Sequence, residues 1–344
     1  MTLPHPPPVH HFASDNAAAV HPAVLEALGQ ANSAHAMAYG NDRFTQRVSQ
    51  DFDVLFGTDT APFLVWGGTG GNVVALASLW RPGGAVLCTD CAHIHEDETA
   101  APERMTGIKV VPFAHRHGKL LPEHILSQVH HLGDQHRPQA CVVSITQATE
   151  YGTVYTAQEI RAICDTAHTY GIKVHLDGAR IANAVASLGG TRDALRAFTV
   201  DAGVDVVTFG GTKNGMMYGE AVVFLDRELG HNAPFTRKQA AQLPSKMRYV
   251  AAQFSSIFED DLWIATATHA NAMATRLYEG IKHLAAVECD PPEANSLYPV
   301  LPRAAAELLQ AWCPFYEWNR ARSQYRWMTA WDTTADDVDR FVDG

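Results

Sequence analysis

The chain is short of several things, and each shortage excludes a class of protein. Cysteine is sparse: six in 344 residues, at 88, 91, 141, 164, 289 and 313. That is too few and too scattered for a disulfide framework. Basic residues are outnumbered, 26 Lys and Arg against 37 Asp and Glu, a formal net charge of −11. Such a chain has no basic field to draw nucleic-acid phosphates. No apolar run approaches the ~20 residues that span a bilayer. The opening "MTLPHPPPVHHF" lacks the charged and apolar segments of a secretion signal and reads as a proline-stiffened tail. The expectation is a cytoplasmic protein with no membrane and no nucleic-acid partner. Internal repeats and low-complexity tracts are missing too.

What is present fits an α/β protein. The composition, 47% apolar and 18% charged, is that of a globular chain, and the length suits one large domain plus a smaller one. Short β-branched runs recur at 62–66, 85–89, 108–113, 140–145, 172–177, 204–209 and 220–225. Between several of them lie stretches with apolar residues three and four apart, such as 70–80 and 156–171. The second opens on Thr156, a good N-cap, and stops at Gly171. Strand and helix in alternation predict a mostly parallel seven-stranded sheet covered on both faces. After about residue 230 the pattern changes. Residues 245–284 read as two long helices broken near Glu259-Asp260-Asp261. The expected division is a tail or arm at 1–18, a large domain at 19–284 and a small C-terminal α+β domain at 285–344.

The stretch "CTDCAHIH" sets Cys88, Cys91, His93 and His95 within eight residues. Structural zinc sites more often join two separated ligand pairs, and Cys88 closes the apolar run "AVLC". A buried strand cysteine is the better reading, and no metal is expected.

In an open parallel sheet, ligands bind at the carboxyl ends of the strands. The residues that follow each run are therefore the ones to inspect. "GGTGGN" after 62–66 opens a helix whose N-terminal N–H groups can cradle an anion. "DGAR" places Asp177 at the end of another strand with Arg180 close behind, and "GGTK" places Lys213 after a third. Each alone is weak, since glycine turns, capping aspartates and loop lysines are common. Together they are the set that pyridoxal phosphate requires: a cradle for its phosphate, a carboxylate for its ring nitrogen and a lysine for its aldehyde.

These motifs, with "SDN" (14–16), "YGND" (39–42), "AHIHEDE" (92–98) and "YRWMTAWDTTADDVDRF" (325–341), resemble the threonine aldolase family of fold-type-I pyridoxal-phosphate enzymes. The resemblance runs from residue 12 to 341, and "SITQATEYGTVYT" with "TKNG" lies closest to the phenylserine aldolase branch. It implies an aldehyde-lyase that cleaves the Cα–Cβ bond of L-β-hydroxy-α-amino acids to glycine and an aldehyde. It implies that Lys213 binds the cofactor aldehyde, Asp177 pairs with the ring nitrogen, Gly68, Thr69 and Gly70 hold the phosphate, and His93 stacks on the ring. Arg180 and Arg326, with Ser14 and Tyr39, would bind the substrate, and Arg237 would reach a neighbouring subunit's phosphate. Homotetramers with active sites between subunits are the family's habit. One departure stands out: the family's T-H-N-G histidine is replaced here by Glu150 in "ATEYG". That leaves His93 and Glu150 as candidates for the base that takes the hydroxyl proton. His93 is the expected base, directly or through one water, with Glu150 orienting the water or the hydroxyl.

Other readings share parts of this set. A racemase or transaminase would use Lys213 and Asp177 and differ in how it positions substrate. A non-catalytic cofactor carrier would have no use for two substrate-binding arginines. A nucleotide-binding dehydrogenase needs an acidic residue ending a second strand about 20 residues after the glycines, which is lacking in that context.

Overall fold

A computed structural model describes residues 6–344. The first five residues of the expected tail lie outside the described residues. Seven strands form one sheet: β1 (Ala61–Val65), β2 (Gly84–Thr89), β3 (Lys109–Phe113), β4 (Gln139–Thr146), β5 (Lys173–Gly178), β6 (Val206–Gly210) and β7 (Glu220–Phe224). Their order across the sheet is β1-β7-β6-β5-β4-β2-β3. β7 runs antiparallel to both its neighbours, and the other six share one direction. Each strand falls within two residues of the run that predicts it. The reason is visible in the burial: β2, β6 and β7 are buried at every position, as strands sandwiched between helices must be.

The helices start and stop where local chemistry dictates. Thr156 and Glu159 form a capping box at the head of the helix Ala157–Thr169, and Gly171, with φ 68°, turns the chain after it. Asp42 caps Arg43–Phe56 by accepting from the N–H groups of Phe44 and Thr45 at 3.0 and 2.9 Å. The long C-terminal helices, Arg248–Phe258 and Leu262–Ile281, are broken at Asp260 and Asp261, whose φ of 49° and 55° cannot continue a helix. Between the first of these helices and the sheet, Phe52, Phe209, Phe254, Phe258 and Trp263 pack edge to face or tilted. Phe209 is fully buried, and burial of such a ring contributes about 2–3 kcal/mol. It anchors β6, the strand that delivers Lys213.

A second, three-stranded antiparallel sheet follows, in the order β8-β10-β9, from β8 (Ser296–Leu297), β9 (Tyr316–Asn319) and β10 (Gln324–Met328). The helices Arg303–Trp312 and Ala335–Asp343 accompany it. Its core contains Leu297, Phe315, Trp327 and Phe341. It also draws in Leu277 and Ile281 from the long helix and Phe12 from the N-terminal segment. Phe12 is fully buried, its ring lies 4.5 Å from that of Phe341, and its carbonyl accepts from the N–H of Met328 at 2.9 Å. The N-terminal segment is thereby fastened to this second core, which matters for the site.

Candidate active site

The lysine sits where two glycines let it. Residues 210 and 211 lead from β6 into a single 3-10 turn, Thr212–Asn214. A Cβ on Gly210 would lie 2.4 Å from the carbonyl oxygen of Ala179, so no other residue fits between β6 and the turn that follows β5. That close approach brings Lys213 over the end of β5. Asp177 is on β5, registered against Thr208 of β6. Burial strips water from the Lys213 ammonium, the Arg180 charge opposes it, and its pKa falls below the ordinary lysine value. Such a lysine gives up its proton easily and can act as a nucleophile.

Asp177 is 4% exposed. Its Oδ2 accepts from Asn72 Nδ2 at 2.7 Å and its Oδ1 from the Ala179 N–H at 3.0 Å. Burial disfavours the carboxylate, but the charge at His93, the Asn72 amide and Lys213 outweigh it and hold the group below the usual range. Beneath it, His175 is tied to Ser144 and Thr208 at 2.9 Å each, and burial drives its pKa down to about 4. That ring is neutral and serves as packing.

His93 opens a short helix after β2. Its Nδ1 lies 2.8 Å from Glu98 Oε1, and this bond raises its pKa. A carboxylate can only accept, so Nδ1 keeps a proton whether the ring is charged or neutral, and Nε2 is the atom that gains or loses one. Asn72 Nδ2 donates to Glu98 as well, at 2.9 Å, so one amide bridges the carboxylates of Glu98 and Asp177. Glu150 lies behind this group. Its Oε1 accepts from Thr146 Oγ1 at 2.7 Å and from the His93 backbone N–H at 3.0 Å, while Oε2 is buried with no partner. Burial pushes its pKa up to about 7.

A cavity of about 380 Å³ joins these elements, with Ser14, His93, Arg180, Lys213, Tyr316 and Arg326 in its wall. Arg326 comes from β10, donates to the Ala13 carbonyl at 3.2 Å and lies over the rings of Tyr316 and Trp318. Burial, and then the nearby Arg180 charge, lower its pKa. Arg180 is held by Asp15, with Nε and Nη2 at 2.7 and 2.8 Å from the two carboxylate oxygens. Gly68, Thr69 and Gly70 form the first turn of the helix Gly68–Leu79, which has no side-chain cap. A Cβ on Gly67 or Gly68 would meet no protein atom within 4 Å. At Gly70 the Gln242 side chain already stands 2.2 Å from where a Cβ would be, so the open space that a phosphate can take lies beside Gly67 and Gly68.

Not every expected residue reaches the cavity. Gly68, Thr69, Gly70, Glu150 and Asp177 are not among the residues that line it. Tyr39 is half exposed, under the ammonium of Lys238 at 5.2 Å. Arg237 donates to the Leu64 carbonyl at 3.2 Å, lies over the Phe63 ring, and is pushed by burial down to about 10. The cysteine–histidine cluster does not assemble as a ligand set. Cys88 is inside the sheet and the His93 ring is committed to Glu98. Asp90, Cys91 and His115 do approach within 4.8 Å. Yet His115 Nδ1 accepts from the Gly118 N–H, which leaves the proton on the nitrogen a metal would need. Asn72, Glu98 and Asp15 are the site residues that sequence reasoning left unassigned, although each stands inside a motif it had singled out.

A partly buried lysine in the cavity wall, an ionised aspartate and an uncapped helix, at the carboxyl edge of this sheet, define a fold-type-I pyridoxal-phosphate enzyme. Comparison with known proteins narrows the class. The family model for beta-eliminating lyases matches residues 11–302. The chain is 41% identical over 333 residues to a low specificity L-threonine aldolase of Pseudomonas aeruginosa, spanning 96% of this chain and 94% of that one. It is 40% identical to another from a Pseudomonas strain, over 94% and 93% of the two chains. A solved Leishmania major threonine aldolase superposes with a TM-score of 0.88 at 30% identity, over 96% of this chain and 97% of that one. The protein belongs to the beta-eliminating lyase family, among its threonine aldolases, and its cofactor is pyridoxal phosphate.

Proposed function

We propose that the protein is an aldolase acting on L-β-hydroxy-α-amino acids of the threonine, allo-threonine and phenylserine type, releasing glycine and an aldehyde. The observation that carries this is the shared cavity, in which an amine, a free imidazole nitrogen and two guanidinium groups face one small space. In this reading the N-terminus of Gly68–Leu79 takes the cofactor phosphate, Asp177 its ring nitrogen and Lys213 its aldehyde. The bound cofactor supplies a sink for the electron pair released when Cα–Cβ breaks. Arg180 and Arg326, with Ser14, bind the substrate carboxylate through charge-assisted hydrogen bonds. They thereby orient the bond to be broken. His93 Nε2 accepts the β-hydroxyl proton, and Glu98 on Nδ1 stabilises the imidazolium that results. Glu150 serves from behind, holding the backbone of His93.

We also infer that four copies assemble, with Tyr39 and Arg237 serving a neighbour's site. Both lie outside the cavity of their own chain, and Met37 and Phe235 close to them in sequence are 71% and 69% exposed.

The test is product analysis. Threonine should yield glycine and acetaldehyde, phenylserine should yield glycine and benzaldehyde, and borohydride should fix the cofactor to Lys213. Racemisation or amino transfer without glycine release would assign the scaffold to another reaction. Label on Lys173 or Lys238 would overturn the lysine assignment.

A further inference from the structure

The N-terminal segment does more than pack. Three consecutive residues, Ala13, Ser14 and Asp15, touch both arms of the carboxylate site. The Ala13 carbonyl accepts from Arg326 Nη2. The Asp15 carboxylate takes the whole Nε–Nη2 edge of Arg180. Ser14 lies between them in the cavity wall. Asp15 is 1% exposed, and Asn295 Nδ2 donates to its Oδ2 at 3.1 Å and to the Thr329 carbonyl at 2.8 Å. Asp15 is therefore braced from the second core, while Arg180 belongs to the large sheet. Arg180 Nη2 also meets Met328 Sδ at 3.1 Å. Nη1 is the end of this guanidinium without a protein partner among the described residues.

We propose that Asp15 is a positioning residue for substrate binding. It commits one edge of Arg180 and so presents Nη1 alone to the amino-acid carboxylate. It also cancels one of two nearby, partly buried guanidinium charges. This rests on the reading of Arg180 as a carboxylate ligand given above. The reasoning is geometric and electrostatic. An unheld arginine has four rotatable bonds and would turn its bidentate edge to any anion. A guanidinium locked by a bidentate carboxylate has lost that freedom before substrate arrives, so less is lost on binding. Two uncompensated guanidinium groups side by side would repel each other and spread apart. With Asp15 in place the pair carries one net positive charge, matched to one carboxylate. The segment 13–15 then fixes the spacing of both arms from a single strip of backbone.

The experiment compares Asp15→Asn, Arg180→Gln and the double variant, each as holoenzyme that retains the cofactor absorbance. Retro-aldol kinetics with threonine give KM and kcat. Spectral titration gives the affinities of glycine, which has the carboxylate, and of ethanolamine, which lacks it. Asp15→Asn is expected to raise KM and weaken glycine by about 10- to 100-fold, as loss of a buried charge-assisted contact does. Its kcat should fall less, and ethanolamine binding should stay within about twofold, because no carboxylate contact is involved. The double variant should lose no more than Arg180→Gln alone, since Asp15 acts through Arg180. Unchanged glycine affinity in Asp15→Asn overturns the proposal, as does equal weakening of glycine and ethanolamine, which would make Asp15 a scaffold only. A double variant that loses clearly more than Arg180→Gln would overturn it as well, and this comparison does not need Asp15→Asn alone. An Arg180→Gln enzyme with normal KM would instead sink the underlying reading of Arg180, a separate result.

Discussion

Asp177 at the end of β5 and Glu150 in the loop after the neighbouring β4 are two desolvated carboxyl groups held in opposite states. Asp177 has donors on both oxygens and positive charge nearby, and its pKa is lowered. Glu150 concentrates its two donors on one oxygen, leaves the other without a partner, and is pushed up to about 7. Burial opposes ionisation at both positions, so burial does not decide the charge; the number and sign of partners does. One strand end thus offers a permanent anion to a cationic ring nitrogen. The next offers a carboxyl that is half protonated near neutral pH and spends its contacts on the backbone of His93.

The largest effect should come from erasing the difference at Asp177. In Asp177→Asn the amide cannot hold a proton on the ring nitrogen, and Asn72 loses an anionic acceptor. Turnover is expected to drop by about 10²–10³-fold, the scale of removing a main electrostatic stabiliser, with cofactor affinity reduced and the fold intact by circular dichroism. Near-normal cleavage in this variant would show that the carboxylate is not the ring's partner.

A smaller pair of effects separates the base from its support. His93→Asn is expected to lower kcat by about 10²-fold, within the range of general-base removal, and to flatten the acid limb of the pH–rate profile. Glu150→Gln keeps an acceptor for the His93 N–H and Thr146, so the loss should stay near tenfold or less. If Glu150→Gln abolishes cleavage while His93→Asn keeps its pH profile, the roles are reversed and Glu150 is the base.

The contrast between these carboxylates marks what the sequence could reveal. All seven strands were legible, because an alternation of β-branched runs and 3.6-period segments leaves few other architectures. Asp177 and Lys213 were legible because each stands at or just past the carboxyl end of its strand. Asn72 and Asp15 were not, because their roles are set by partners far along the chain; Glu98 has a partner only five residues away, His93, but one among several acidic residues there gives no sign of which ring it meets. Asn72 is 105 residues from Asp177, and Asp15 is 165 from Arg180. The one local hint at Asn72 is an amide among the buried residues of a mostly apolar helix. A polar group at such a position must find a partner, but nothing nearby in sequence names it. Glu150 was visible as a departure from the family pattern. Its placement behind His93, out of the cavity, depends on how the loop after β4 folds.

The smallest effect tests the charge state of Glu150 directly, through stability and not rate. Its native pKa of about 7 lies above the ordinary 4.5. The unfolded chain therefore releases this proton first as pH rises. The stabilisation present below about pH 4.5 is lost between there and pH 7, and the loss is complete above that. Glu220 on β7, also buried and pushed up to about 7, adds a second loss of the same sign. Gln at position 150 mimics the protonated carboxyl and has no proton to lose. Glu150→Gln should match the wild type near pH 4.5 and exceed it by up to about 3 kcal/mol at pH 8, the free energy that such a shift represents. Urea midpoints from pH 4.5 to 8, at fixed protein and cofactor concentration, measure this. The slope that remains in the variant is the balance of the other shifted groups: Glu220 and Glu98, raised by burial, lose stability as pH rises, while His175, held down at about 4, gains it over the same window. A difference between variant and wild type that does not change with pH would mean that Glu150 is ionised throughout, and the contrast with Asp177 would disappear.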